Sequence, residues 1–161
     1  MIDPIVEKRF EYKGYPCVVM FMPWGCHRCG YVGFPKRKFR TDLIECHGGI
    51  TYLDRKLFGQ DDKNTMWIGF DCAHAGDERD TDTGLKYFAD DPEMLDHVKR
   101  LAKLDKMYPT WGKVRSQEFV EEECRKIVDQ LIGLGDSLNK PGECLEILYF
   151  NEKKKGDNDE R

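Results

Sequence analysis

Cys17-Val18-Val19-Met20-Phe21-Met22 decides how this chain folds. Six apolar residues stand in a row, two of them β-branched, between the turn signals Gly14-Tyr15-Pro16 and Pro23-Trp24-Gly25. The run is too short for a helix and reads as a buried strand. Upstream, residues 9–13 alternate weakly and predict an edge strand. Downstream, Tyr31-Val32-Gly33-Phe34 reads as a strand stopped by Pro35. Ile50–Leu53 and Met66–Phe70 are two more, joined by a polar loop or hairpin over 54–65.

The period then changes. Asp91-Pro92-Glu93 combines a capping acid, proline at the first helical position and early negative charge, so a helix starts there. Leu95, Val98, Leu101, Ala102 and Leu104 make its apolar stripe, and Tyr108-Pro109-Thr110 ends it. Ser116 caps a second helix. Val120, Cys124, Ile127, Val128 and Leu131 fall at offsets of four, seven, eight and eleven, one face of a helix. Gly133 and Gly135 are expected to close it. Leu145–Phe150 alternates as a returning strand, and 151–161 reads as a disordered charged tail. The expectation is one α+β domain over 1–150. A mainly antiparallel sheet from the N-terminal half is covered by two C-terminal helices.

With 161 residues and a net charge of -4, the chain is not built as a general binder of nucleic-acid polymers. Lys36-Arg37-Lys38-Phe39-Arg40 is a local basic run, and Asp77 to Asp91 is mostly acidic. No apolar run approaches the roughly 20 residues that cross a bilayer, and Met1-Ile2-Asp3-Pro4 lacks the pattern of a signal peptide. The expected location is the cytoplasm, without membrane partners. Seven cysteines in a reducing compartment read as buried thiols, metal ligands or redox groups. Cys26-His27-Arg28-Cys29 has redox spacing, but Gly30 to Pro35 cannot supply the helix that lowers the thiol pKa. The same pair is half of a structural zinc site, with Cys46-His47 and Cys72-Ala73-His74 as candidates for the rest.

Two dense motifs carry the polar chemistry. His47-Gly48-Gly49-Ile50-Thr51-Tyr52 and Trp67-Ile68-Gly69-Phe70-Asp71-Cys72-Ala73-His74-Ala75-Gly76-Asp77 each read as a strand joined to a loop of small residues. Small residues let a ligand approach the backbone. The Gly48-Gly49 amides and Arg28 suit a phosphate. Tyr31 or Trp67 suits a base, and His47, Thr51, Asp71, His74 and Asp77 suit ribose and base edges. The same His47, Asp71, His74 and Asp77 also suit a metal that activates water for phosphoester cleavage. A third reading is structural: Asp71 caps a turn, and the two histidines hold the loop by hydrogen bonds. No Ser or Cys nucleophile motif, P-loop or dinucleotide fingerprint is present. The leading reading is therefore binding rather than catalysis, with no cofactor and no metal.

Arg28-Cys29-Gly30-Tyr31-Val32-Gly33, then the two motifs above in order, resemble a set of small bacteriophage proteins of unassigned function. The resemblance covers about the first half of the chain. It implies a counter-defence setting, in which the protein sequesters a small anionic immune signal such as a cyclic nucleotide or a cyclic ADP-ribose derivative. One alternative is a metal-dependent phosphodiesterase or hydrolase acting on such a signal. Another is direct inhibition of a host protein. Tight sequestration favours an enclosed site between subunits, so a homo-oligomer is expected.

Overall fold

A computed structural model describes residues 2–35, 40–57, 60–61 and 63–138. Five strands form one sheet: β1 (Ile5–Tyr12), β2 (Tyr15–Met22), β3 (His27–Pro35), β4 (Tyr52–Asp54) and β7 (Thr65–Asp71). Their order is β1-β2-β3-β7-β4, and every pairing is antiparallel. The short β5 (Lys56–Leu57) and β6 (Gln60–Asp61) pair as a hairpin inside the polar connection. Three helices follow, α1 (Thr81–Tyr87), α2 (Pro92–Met107) and α3 (Gln117–Leu138). The fold is α+β with a mainly antiparallel sheet, as the pattern of short apolar runs predicts.

The β1–β2 turn is Lys13-Gly14, both at positive φ, so Tyr15 and Pro16 already belong to β2. Left-handed backbone at both central residues matches the twist of a two-residue hairpin. The register slips between Val6 and Lys8, which leaves Glu7 as the extra residue of a bulge. A bulge re-aims a side chain, and here the Glu7 carboxylate is buried against Arg28.

The core lies between the sheet and α3. Val120, Cys124, Ile127, Val128 and Leu131 are fully buried there with Cys17, Val19, Val32, Phe34, Ile68 and Phe70. Gly30 permits this approach. A Cβ at Gly30 would stand 2.6 Å from the Phe70 ring and 2.9 Å from Cys124 Sγ. Val18, Met20, Cys29 and Tyr31 form a second cluster with the half-buried Tyr52 and Trp67. At one end of the sheet α1 and α2 close over Phe21 and Cys26 with Met94 and Val98.

Several expectations are corrected. The mostly acidic stretch after Asp77 holds a helix that the sequence reading does not place: Asp80 caps α1 by accepting from Thr83 N. Asp91 caps α2 as predicted, but the buried face centres on Met94 and Val98, while Leu104 is exposed. Gly133 and Gly135 do not end α3, which runs on to Leu138. Interior glycine costs a helix only about 1 kcal/mol relative to alanine, less than the buried face upstream supplies. The basic run over 36–39, the strand over 145–150 and the tail over 151–161 lie outside the described residues. No described helix is long and apolar enough to cross a membrane.

Candidate functional site

The strand β7 ends at Asp71 and the chain turns back on itself. Asp71 Oδ1 accepts from Ala73 N at 3.1 Å, and Thr51 Oγ1 donates to Asp71 Oδ2 at 2.9 Å. Cys72 N donates to the Arg28 carbonyl at 2.9 Å, which ties the loop to β3. His74 N donates to Asp77 Oδ2 and Asp77 N to the His74 carbonyl, both at 3.0 Å, with Gly76 at positive φ between them. The loop then leads into β8 (Asp77–Glu78), which pairs in parallel with β9 (Lys113–Val114). That two-residue bridge brings Arg115 to Asp77.

Asp77 is the centre. Its side chain is 1% exposed. One carboxylate oxygen lies 2.9 Å and the other 2.8 Å from His47 Nε2, and Arg115 Nε donates to Oδ1 at 2.8 Å. Burial pushes this carboxyl up, but the bonds from His47, Arg115 and the His74 amide outweigh it and hold it below the ordinary carboxylate value. His47 is itself held: its backbone N–H donates to Glu123 Oε2 of α3 at 2.9 Å, and its ring meets the Phe119 ring edge-on at 5.3 Å. The Arg115 guanidinium lies over the same Phe119 ring, 4.9 Å from its centroid.

His74 stands opposite His47, ring centroids 6.0 Å apart. Its side chain is one-third exposed, yet Nδ1 is buried and makes no hydrogen bond. That nitrogen is 3.4 Å from Asp71 Oδ1 and 4.0 Å from Asp77 Oδ2. Gly48, at φ +67°, lies under the His74 ring, and a Cβ there would be 2.3 Å from Cε1. Glycine is required here twice over, for the backbone angle and for the ring.

His74 and Asp77 also line a cleft of about 740 Å³ between the β8 segment, α1 and α2. Leu85, Ala102, Pro109 and Val114 supply apolar wall; Glu78, Arg79, Asp80, Asp82, Asp105 and Lys106 supply charge. On this wall Asp77 pairs with Arg115, Asp80 with Arg28, and Asp105 with Arg79. Five carboxylates face two cations along the lining, so the wall is net negative and holds no surplus of positive charge for a phosphate.

The structure brings His47, Gly48, Thr51, Asp71, His74 and Asp77 together. It gives the other candidates internal roles. Arg28 is buried and spends its donors inside the protein: Nε and Nη2 on Glu7 at 2.6 and 3.0 Å, Nη1 on Asp80 at 2.6 Å and on the Arg115 carbonyl at 3.0 Å. This corrects the expected phosphate contact of Arg28. Gly49 N donates to the Cys46 carbonyl at 3.0 Å, so that amide closes a turn instead of facing an anion. Tyr31 is buried edge-on against Tyr52, and Trp67 packs in the same cluster, so neither is laid open for a base.

The cysteines are corrected too. Cys26 and Cys29 sit in different clusters, one under α2 and one among Val18, Met20 and Tyr31, so the C-x-x-C spacing joins nothing. Burial pushes the Cys26 thiol up to about 11 and those of Cys29 and Cys46 up to about 12. Such thiols are inert. Arg115 and Glu123 are site residues that sequence reading misses, since nothing marks a lone charge 38 or 76 residues from its partner.

Comparisons with models of protein families, with curated proteins and with solved structures find no match.

Proposed function

We propose that this protein holds a small nucleotide-type ligand in the cleft beside His74 and Asp77, and so sequesters an immune signal in a phage counter-defence role. The observation that carries the reading is the cleft. Its volume of about 740 Å³ suits a small molecule, and its lining mixes apolar side chains with His74, carboxylates and two cations. Carboxylates and imidazoles accept from ribose hydroxyls, while Leu85, Ala102 and Pro109 offer a surface for a base. Lys106, also on the wall, is the cation that this reading assigns to a phosphate in place of Arg28. The resemblance to small bacteriophage proteins supplies the biological context.

The test mixes the purified chain with cyclic dinucleotides and cyclic ADP-ribose isomers and follows each free compound by chromatography. A compound that disappears and returns intact when the protein is heat-denatured is the expected result. If every compound stays free, the reading fails. A second reading, hydrolysis, is favoured by the His47–Asp77 pair, in which a buried carboxylate orients an imidazole at a polar site. Permanent loss of a compound with a new product would replace sequestration by turnover.

A further inference from the structure

We propose that His47, His74 and Asp77 form a binding site for one first-row divalent transition cation, of which zinc is the representative. One donor atom from each residue lies within 4.8 Å of the others. Metal–nitrogen and metal–oxygen bonds of about 2.0–2.2 Å place donors on one ion about 3–4 Å apart. His47 Nε2 is 2.8 Å and His74 Nδ1 4.0 Å from the same Asp77 oxygen, so small side-chain rotations suffice. His74 Nδ1 is the deciding atom. It is buried, makes no hydrogen bond, and points among carboxylates. It faces Asp71 Oδ1 at 3.4 Å and Asp77 Oδ2 at 4.0 Å, the oxygens with which it would share a cation.

The surroundings are those of a metal site. Arg115 orients the Asp77 carboxylate, Glu123 and Phe119 fix His47, and the Gly48 backbone seats the His74 ring. Asp71 Oδ1, 3.4 Å from His74 Nδ1, is placed to add a fourth donor. Two nitrogens with carboxylate oxygen suit zinc, cobalt or nickel better than magnesium or calcium, which prefer oxygen alone. His74 and Asp77 line the cleft, and the one-third exposed His74 side chain is the member of the trio that opens toward it. The ion would add positive charge to a wall on which five carboxylates face two cations, and so offer a phosphate a contact there.

The inference shares its site with the function proposed above but does not need that ligand. The experiment titrates chelator-stripped, full-length protein with Zn²⁺ alone by calorimetry. It then repeats with Co²⁺ to read the ligand field by absorption. We expect one equivalent bound, a Co²⁺ spectrum without thiolate charge-transfer bands, and affinity lowered more than about 100-fold in His74→Ala and His47→Gln. Circular dichroism checks that both variants fold, and His74→Ala, with its one-third exposed side chain, keeps the test valid if His47→Gln does not. No stoichiometric binding, unchanged affinity in folded His74→Ala, or thiolate bands would each overturn the site. Zinc bound with every nucleotide left free would retain the metal site and overturn the nucleotide. A nucleotide retained by protein that binds no zinc would do the reverse.

Discussion

Two arginine–carboxylate networks lie a few residues apart, and they differ in what they leave unspent. In the first, Arg28 is gripped by Glu7, Asp80 and the Arg115 carbonyl, while Tyr87 donates to Glu7 and Thr83 to Asp80. Its donors and acceptors meet inside the protein, linking β1, β3 and α1. In the second, Arg115 and His47 meet on Asp77, but His74 keeps a buried nitrogen without a hydrogen bond and a face on the cleft. Both set an arginine on a buried carboxylate. Only the second has coordination capacity left for something else. A charged residue in a motif is thus not read as a ligand until its partners have been counted.

Breaking the first network is expected to have the largest effect. Arg28→Ala leaves Glu7 and Asp80 buried without their cation, at a cost of about 3–5 kcal/mol, read by urea unfolding. A loss below about 1 kcal/mol would show that Arg28 is not structural. Next is Gly48→Ala, which places a methyl in the His74 ring and demands a left-handed angle from alanine. A cost of about 1–3 kcal/mol is expected, together with loss of Zn²⁺ binding measured by titration. Unchanged stability and affinity would mean that the ring has no fixed seat.

Acid should separate the networks less sharply. Asp80 is pushed up by burial, but bonds from Arg28 and Thr83 outweigh this and hold it below 3.8; Asp77 behaves likewise. Their contribution to stability is therefore complete above 3.8 and is lost as pH falls through the lower folded value. Asp80→Asn should flatten the low-pH limb of the stability curve, measured by unfolding at stepped pH; an unaltered limb would place the acid sensitivity elsewhere. The smallest effect on folding is expected from His74→Ala, under about 1 kcal/mol, because the ring is partly exposed and its Nδ1 makes no hydrogen bond. Its loss of function with intact stability would sharpen the contrast with Arg28.

Much of the scaffold was legible because periodicity reports burial. The face of α3 from Val120 to Leu131, the Asp91-Pro92 start of α2 and the strand Cys17–Met22 all follow from local pattern. The first turn of α1 was masked by its acidity, and β1 extended upstream because pairing to β2 overrides weak propensity. Within the site, His47, Asp71, His74 and Asp77 stood out among small residues, while Arg28, Tyr31 and Trp67 stood out equally and proved to be packing and ion-pair groups.

By itself the sequence determined the α+β alternation of periods, the caps and the two polar motifs, because these depend on neighbours a few residues apart. Tertiary structure alone decided which polar groups are already satisfied. The parallel β8–β9 bridge sets Arg115 on Asp77, and the β1 bulge sets Glu7 on Arg28. Both are encounters between distant segments. Whether a buried charge is structural or available depends on such partners, because desolvation makes every unmatched donor or acceptor costly.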